Sequence, residues 1–349
     1  GYNYFLQVEL DSLQKIVYGA PGTGKSHEVK RITGETDGKI HKNVFRTTFH
    51  PDSDYASFVG CYKPIKGEKP LYGLYGKTTI RLLDGQNYLS EEIISYEFVP
   101  QAFTDAYVYA YKHPDTATYL VIEEINRGNC AQVFGDLFQL LDRNSNGESE
   151  YTIKPDKDLA KHLAKEIYAD ENKADDILLC LPSNLYILAT MNTSDQSLFP
   201  MDSAFKRRWD WEYVPISYDE PVSSQFTISI DGSKYKWVDF IKVVNEKILK
   251  LTQSEDKQMG NFFIKESIDE KQFKSKVMFY LWYEILRDEV QNSNYFFYSK
   301  ELDSNNIETT VKFTFKDLYE ADASKKLKGL MKYLGVQEVG SAANNSTQP

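Results

Sequence analysis

Apolar residues in the first two hundred positions gather into dense runs, and each run ends abruptly in small, polar or charged residues. Residues 13–18 (LQKIVY) lead straight into GAPGTGKS, 118–124 (TYLVIEE) close on two carboxylates, and 185–190 (LYILAT) run into MNTSDQS. Such unbroken runs suit strands covered on both faces of a parallel sheet, because a strand with one wet face alternates instead. A further strand is expected at 44–49 and another at 209–214 (WDWEYV). Elsewhere the spacing turns helical. It predicts helices over 27–32, over 103–113 (FTDAYVYAYKH) as far as Pro114, and over 131–141, where Val133, Phe134, Leu137, Leu140 and Leu141 share one side. Residues 63–96 read as loops and a hairpin inserted in the core. Residues 142–182 read as a mostly polar surface excursion with one helix near DLAKHLAKEIYA.

The texture changes near Ser217. A hairpin candidate (FTISIDGSKYKW) precedes two amphipathic helices, VDFIKVVNEKILKL and EKQFKSKVMFYLWYEILRDEV. The expected fold class is therefore α/β: a central parallel sheet flanked by helices over 1–215, then a smaller, mainly helical domain over 216–339. The small polar residues 340–349 are expected to form a loose tail. No internal repeat is visible.

Composition narrows the possibilities. A chain of 349 residues exceeds the size at which single cores stop growing, which supports two domains. With 41% hydrophobic and 14% aromatic residues, it has ample material for packed cores. The net charge of −10 excludes a broadly electropositive nucleic-acid surface, so any DNA would be met through a local patch or another protein. Cys61, Cys130 and Cys180 have neither disulfide-framework nor zinc-site spacing, and read as small buried hydrophobes of a reduced, cytoplasmic protein. No run is long enough to span a membrane.

The candidate chemistry lies at the run ends. Gly19, Ala20, Pro21, Gly22, Thr23, Gly24, Lys25 and Ser26 match G-x-x-x-x-G-K-[ST] without a gap, between an expected strand and an expected helix. Glycines here admit positive φ and a close backbone approach. Successive N–H groups can then cradle phosphate oxygens, with Lys25 reaching the terminal phosphates and Ser26 ligating Mg²⁺. A chance glycine turn would lack that strand-and-helix setting. Downstream, Glu123 suits the metal shell and Glu124 the activation of water. Paired acids can also merely solvate a strand end, but a phosphate loop upstream favours the catalytic reading.

The order of phosphate loop, VIEEINRGN, LYILATMNTSDQS and DSAFKRRW resembles the AAA+ subunit of the McrBC modification-dependent restriction family. The likeness runs through most of the first 215 residues, including FHPDSDYASFVGCYKP and VFGDLFQLL. KQMGNFFI near the C-terminus resembles the lid of McrB-like proteins more loosely. The family hallmark MNTADRS stands here as Met191–Ser197 with Ser194 and Gln196 substituted, and the acid position that is usually Asp holds Glu123. The resemblance implies that Asn192 is a sensor orienting water or a γ-phosphate oxygen, and that Asp195 shares in ordering the hydrolytic site. It implies that Arg207 or Arg208 reaches a neighbouring subunit's nucleotide, with Arg127 a further candidate. Read without that setting, Asn-Thr-Ser-Asp is an ordinary turn, and three successive cations form a solvated face.

For function the resemblance implies a hexameric ring motor hydrolysing GTP, or else ATP, with Mg²⁺. Its partners would be an McrC-like nuclease and DNA, the latter engaged indirectly or through an N-terminal recognition domain expected to lie outside these residues. A generic AAA+ ATPase remodeller of the MoxR kind is the first alternative. The second is a ring scaffold that binds nucleotide without hydrolysing it.

Overall fold

A computed structural model of the chain describes residues 12–340, apart from 37–38, 40, 74–75, 77–78, 81–88, 195–199 and 305. In chain order its strands are β1 (Gln14–Gly19), β2 (Val44–Thr48), β3 (Gly60–Pro70), β4 (Ser90–Pro100), β5 (Thr118–Glu123), β6 (Leu185–Asn192), β7 (Asp210–Tyr213), β8 (Thr227–Ile230), β9 (Ser233–Lys236), β10 (Tyr298–Leu302) and β11 (Glu308–Lys312). Five of them form one sheet in the order β2-β5-β6-β1-β7. The β2–β5 and β5–β6 pairs are parallel, with Thr48 opposite Glu123 and Ile122 opposite Ala189. Leu120, Val121, Ile122, Leu185, Ile187 and Leu188 are fully buried, which is why these strands read as continuous apolar runs. The α/β class with a parallel central sheet is thus as the pattern predicts.

The described residues divide into two compact units that interleave along the chain. One draws on residues 12–16, 32–189 and 200–210, the other on 17–31, 190–194 and 211–340. The first is organised by an aromatic cluster in which Phe134 contacts Phe49, Phe58, Phe205 and Trp209, with ring centroids 5.1–6.4 Å apart. The second packs the helix Trp237–Thr252 against buried Phe273, Leu281, Phe297, Leu327 and Leu330. Among the described residues no helix is long and apolar enough to cross a membrane.

Three expectations are corrected. The helix over 131–141 is broken: Cys130–Phe134 is α-helical and Gly135–Leu141 tightens to 3₁₀, because Gly135 takes φ +51° at the junction. The 142–182 segment is not a surface excursion. Its helix Lys157–Tyr168 buries Leu159, Ala160, Leu163 and Ala164, and Ile153 pairs with Leu179. The 270–290 helix continues through wide π-helical turns at Phe273–Met278 and Leu281–Leu286, with Phe273, Val277, Leu281 and Ile285 buried at intervals of four. The hairpin β10–β11 has no apolar pattern to mark it, since Ser299 alone in the two strands is buried; the helix Ala323–Leu334 is a further addition, although Leu327, Leu330, Met331 and Leu334 recur at helical spacing.

Arg143 shows why residues 142–182 belong to the body of the first unit. Its guanidinium donates to Gln14 Oε1 (2.7 Å) and to the carbonyls of Gly147 (3.0 Å), Pro182 (3.1 Å) and Leu185 (2.9 Å). Gln14 in turn donates to the carbonyls of Leu141 and Arg208, both at 2.8 Å. Replacing Arg143 with Leu strands several acceptors and is expected to cost about 3 kcal/mol. Urea unfolding checks this, and an unchanged midpoint contradicts it.

Candidate active site

The phosphate loop lies in the second unit. The chain leaves β1 at Gly19 and enters the helix Lys25–Thr33, whose first turn closes when His27 and Glu28 donate to Gly24 O (2.9 and 3.0 Å). Gly22 (φ +79°) and Gly24 (φ +95°) adopt the left-handed backbone that side chains resist. Such an alternation turns successive amides toward one concavity and ends it on a helix N-terminus, which makes an anion nest. Lys25 is buried, and its Nζ donates to Ala20 O (2.8 Å) and Gly19 O (3.2 Å), folding over its own loop. Thr23 Oγ1 donates to Ala20 O (3.2 Å), and Ser26 is exposed at the start of the helix. Asn192 ends β6. The next residue, Thr193, donates its amide to Gly19 O at 3.2 Å, so the strand end and the loop are joined by backbone.

The acidic pair lies in the first unit. Glu123 is the last residue of β5, and its carbonyl accepts from Phe49 N at 2.9 Å. Its carboxylate is engaged by Arg46 of β2, Nη1 to Oε1 2.7 Å, and the same guanidinium donates through Nε to Glu35 Oε1 at 3.2 Å. Although burial acts the other way, hydrogen bonds from Arg46 and Thr33 hold the Glu35 carboxyl below the usual carboxylate range. Sequence reasoning missed Arg46. The available signal was only a single cation inside a short edge strand, VFRTT. Glu124 takes φ +55°, ψ +48°, and Arg127 N donates to its carbonyl at 2.9 Å. That left-handed conformation costs about 1 kcal/mol in a residue other than glycine. It turns the chain out of the strand at the residue assigned to water.

The basic block follows a short helix, Ser203–Lys206, which Asp202 caps by accepting from Phe205 N at 2.6 Å. Its two arginines differ sharply. The Arg208 side chain is 10% exposed; it pairs with Asp142 (2.6 Å), donates to Ala204 O (2.9 Å) and lies over the Phe138 ring at 4.0 Å. Arg207 is exposed, as is Arg127. Asp195 lies outside the described residues.

Among the described residues no cluster of three or more His, Cys, Asp or Glu could hold a metal by itself. Mg²⁺ keeps its waters and takes one or two protein oxygens beside substrate phosphates. The Ser26 hydroxyl and the Glu123 carboxylate are oxygen donors of this kind, and Arg46 stands against the latter.

Comparison with known proteins agrees with this chemistry. Residues 14–209 match the family model of the AAA domain (dynein-related subfamily). The chain is 41% identical over 276 residues to the type II restriction enzyme BsuMI component YdiS of Bacillus subtilis, covering 76% of this chain and 77% of that protein. It is 26% identical over 247 residues to the type IV methyl-directed restriction enzyme EcoKMcrB subunit of Escherichia coli, covering 70% of this chain and 43% of that protein. Among solved structures, one from Cytophaga hutchinsonii overlaps 57% of this chain and 41% of its own at 15% identity and a TM-score of 0.29, too distant to bear on the fold. A gapless phosphate loop, an AAA domain over more than half of the chain and close kinship with a restriction component together show that the chain belongs to the AAA family as a P-loop nucleoside triphosphatase of the McrB-like restriction kind.

Proposed function

We propose that this chain is the nucleotide-driven ring motor of a restriction system, hydrolysing GTP with Mg²⁺ and working on DNA with a separate nuclease subunit. The observation that carries the reading is the loop 19–26. Its left-handed glycines, helix start and buried lysine form a triphosphate cradle, in a chain whose relatives named above are both restriction components. The preference for GTP rests only on the resemblance to McrB-like proteins, because backbone amides and Lys25 read phosphates and ignore the base. Mg²⁺ held near Ser26 and Glu123 would neutralise charge on the phosphates. Glu124 polarises the attacking water, Asn192 orients it, and Asp195 helps to order the site. The division into a nucleotide-binding domain over 1–215 and a lid over 216–339 belongs to the same proposal.

Of the two adjacent arginines, Arg207 is the one that serves the neighbouring protomer. It is exposed, whereas Arg208 is committed to Asp142, Ala204 and Phe138 within its own unit. A forked, permanently charged guanidinium supplied in trans offsets charge that develops on the γ-phosphate.

Four measurements test this reading. Glu124→Gln should bind nucleotide and assemble like the wild type while turnover drops at least about 100-fold, and unchanged turnover refutes the assignment. Arg207→Ala should lower turnover about 1000-fold without changing thermal stability, whereas Arg208→Ala should lower the melting temperature. Mixing Arg207→Ala with Glu124→Gln protomers should restore part of the activity, because each supplies what its neighbour lacks; no recovery contradicts a trans-acting role. Finally, turnover of GTP should exceed that of ATP and rise when an McrC-like nuclease subunit is added, while an ATP preference favours a generic remodeller.

A further inference from the structure

The loop's remaining backbone partners come from far along the chain, within the same compact unit. Gly260 N donates to Pro21 O at 2.8 Å and Phe262 N to Gly22 O at 2.7 Å. The two backbones meet without room for a side chain. A Cβ on Gly260 would lie 2.2 Å from Gly22 C and 2.4 Å from Thr23 N, and one on Gly22 would lie 2.5 Å from Phe263 N. The Phe262 ring covers Gly24, 3.3 Å from where a Cβ would stand.

This strap is itself fixed by two buried amides. Asn245, on the helix Trp237–Thr252, donates to Met259 O (2.9 Å) and accepts from Met259 N (2.8 Å), matching both hydrogen-bonding groups of one backbone residue. Asn261 accepts from Ser217 N and donates to Ser223 Oγ, both at 3.2 Å, while its carbonyl accepts from Trp237 Nε1 at 2.9 Å. Asn245 and Asn261 are each 1% exposed. Burying an amide costs free energy unless its hydrogen bonds are met, and here those bonds converge on residues 259–261. An apolar core alone would need neither residue.

We propose that residues 259–263 are positioning residues for the nucleoside triphosphate. By accepting hydrogen bonds from the strap, the Pro21 and Gly22 carbonyls are held away from the nest, and the loop amides are left facing the phosphates. Nucleotide affinity therefore depends on Gly260 having no side chain and on Asn245 and Asn261 holding the strap. The proposal rests on the nucleotide-hydrolysing reading above.

The test uses the full chain with fluorescent GTP and ATP analogues and Mg²⁺. Gly260→Ala should weaken binding at least tenfold and raise KM more than it lowers kcat, and its nucleotide-free melting temperature should fall, because the added Cβ meets the Gly22 backbone. Because this variant could fold poorly, hydrogen exchange on the wild type supplies a second readout. Saturating nucleotide should slow exchange in peptides spanning 258–263 as well as in those spanning 19–26. Unchanged affinity in Gly260→Ala, or slowing at 19–26 without slowing at 258–263, overturns the strap while the nucleotide reading stands. Failure of the wild type to bind either nucleotide overturns both.

Discussion

A loop that binds phosphate with bare amides must dispose of its carbonyls elsewhere, and this accounting organises the second unit. Five carbonyls along the loop have donors: Thr193 N and Lys25 Nζ for Gly19, Lys25 Nζ and Thr23 Oγ1 for Ala20, Gly260 N for Pro21, Phe262 N for Gly22, and the first helical turn for Gly24. A carbonyl turned inward would oppose the same anion that the amides attract. The donors come from three separate stretches of sequence, so the loop's geometry is held by tertiary structure as much as by its glycines.

The first unit answers a different problem, the placing of like charges. Glu123 and Glu124 are adjacent, and Glu35 shares Arg46 with Glu123, so one guanidinium offsets two of the three carboxylates. The strand register puts Thr48 of β2 opposite Glu123, which brings Arg46, two residues back, within reach of the strand tip. Glu124 is separated from its neighbour by a change of backbone region, extended before it and left-handed at it. Two chemically identical side chains in sequence thus enter distinct surroundings.

The basic block shows the same principle. Arg207 and Arg208 are indistinguishable in a chain read by residue type. A difference of one position on a short helical turn sends one guanidinium to solvent and packs the other over Phe138 against Asp142.

The sequence by itself determined the class of the sheet, the phosphate loop and the position of the acids. Continuous apolar runs can be buried only on both faces, and the loop's glycines and lysine form one contiguous local motif. It also placed Asn192 at the end of a strand beside the one that ends in Glu123, as the parallel pairing of β5 and β6 bears out. Arg46, the strap of residues 259–263 and the burial of 142–182 were decided only by tertiary structure. Each depends on which distant residues meet: a guanidinium across a strand pair, a glycine facing a glycine, an arginine drawing four segments together. Local spacing carries no record of such meetings, because the partners lie far apart in sequence, and many of the groups they join are backbone amides and carbonyls that every residue possesses.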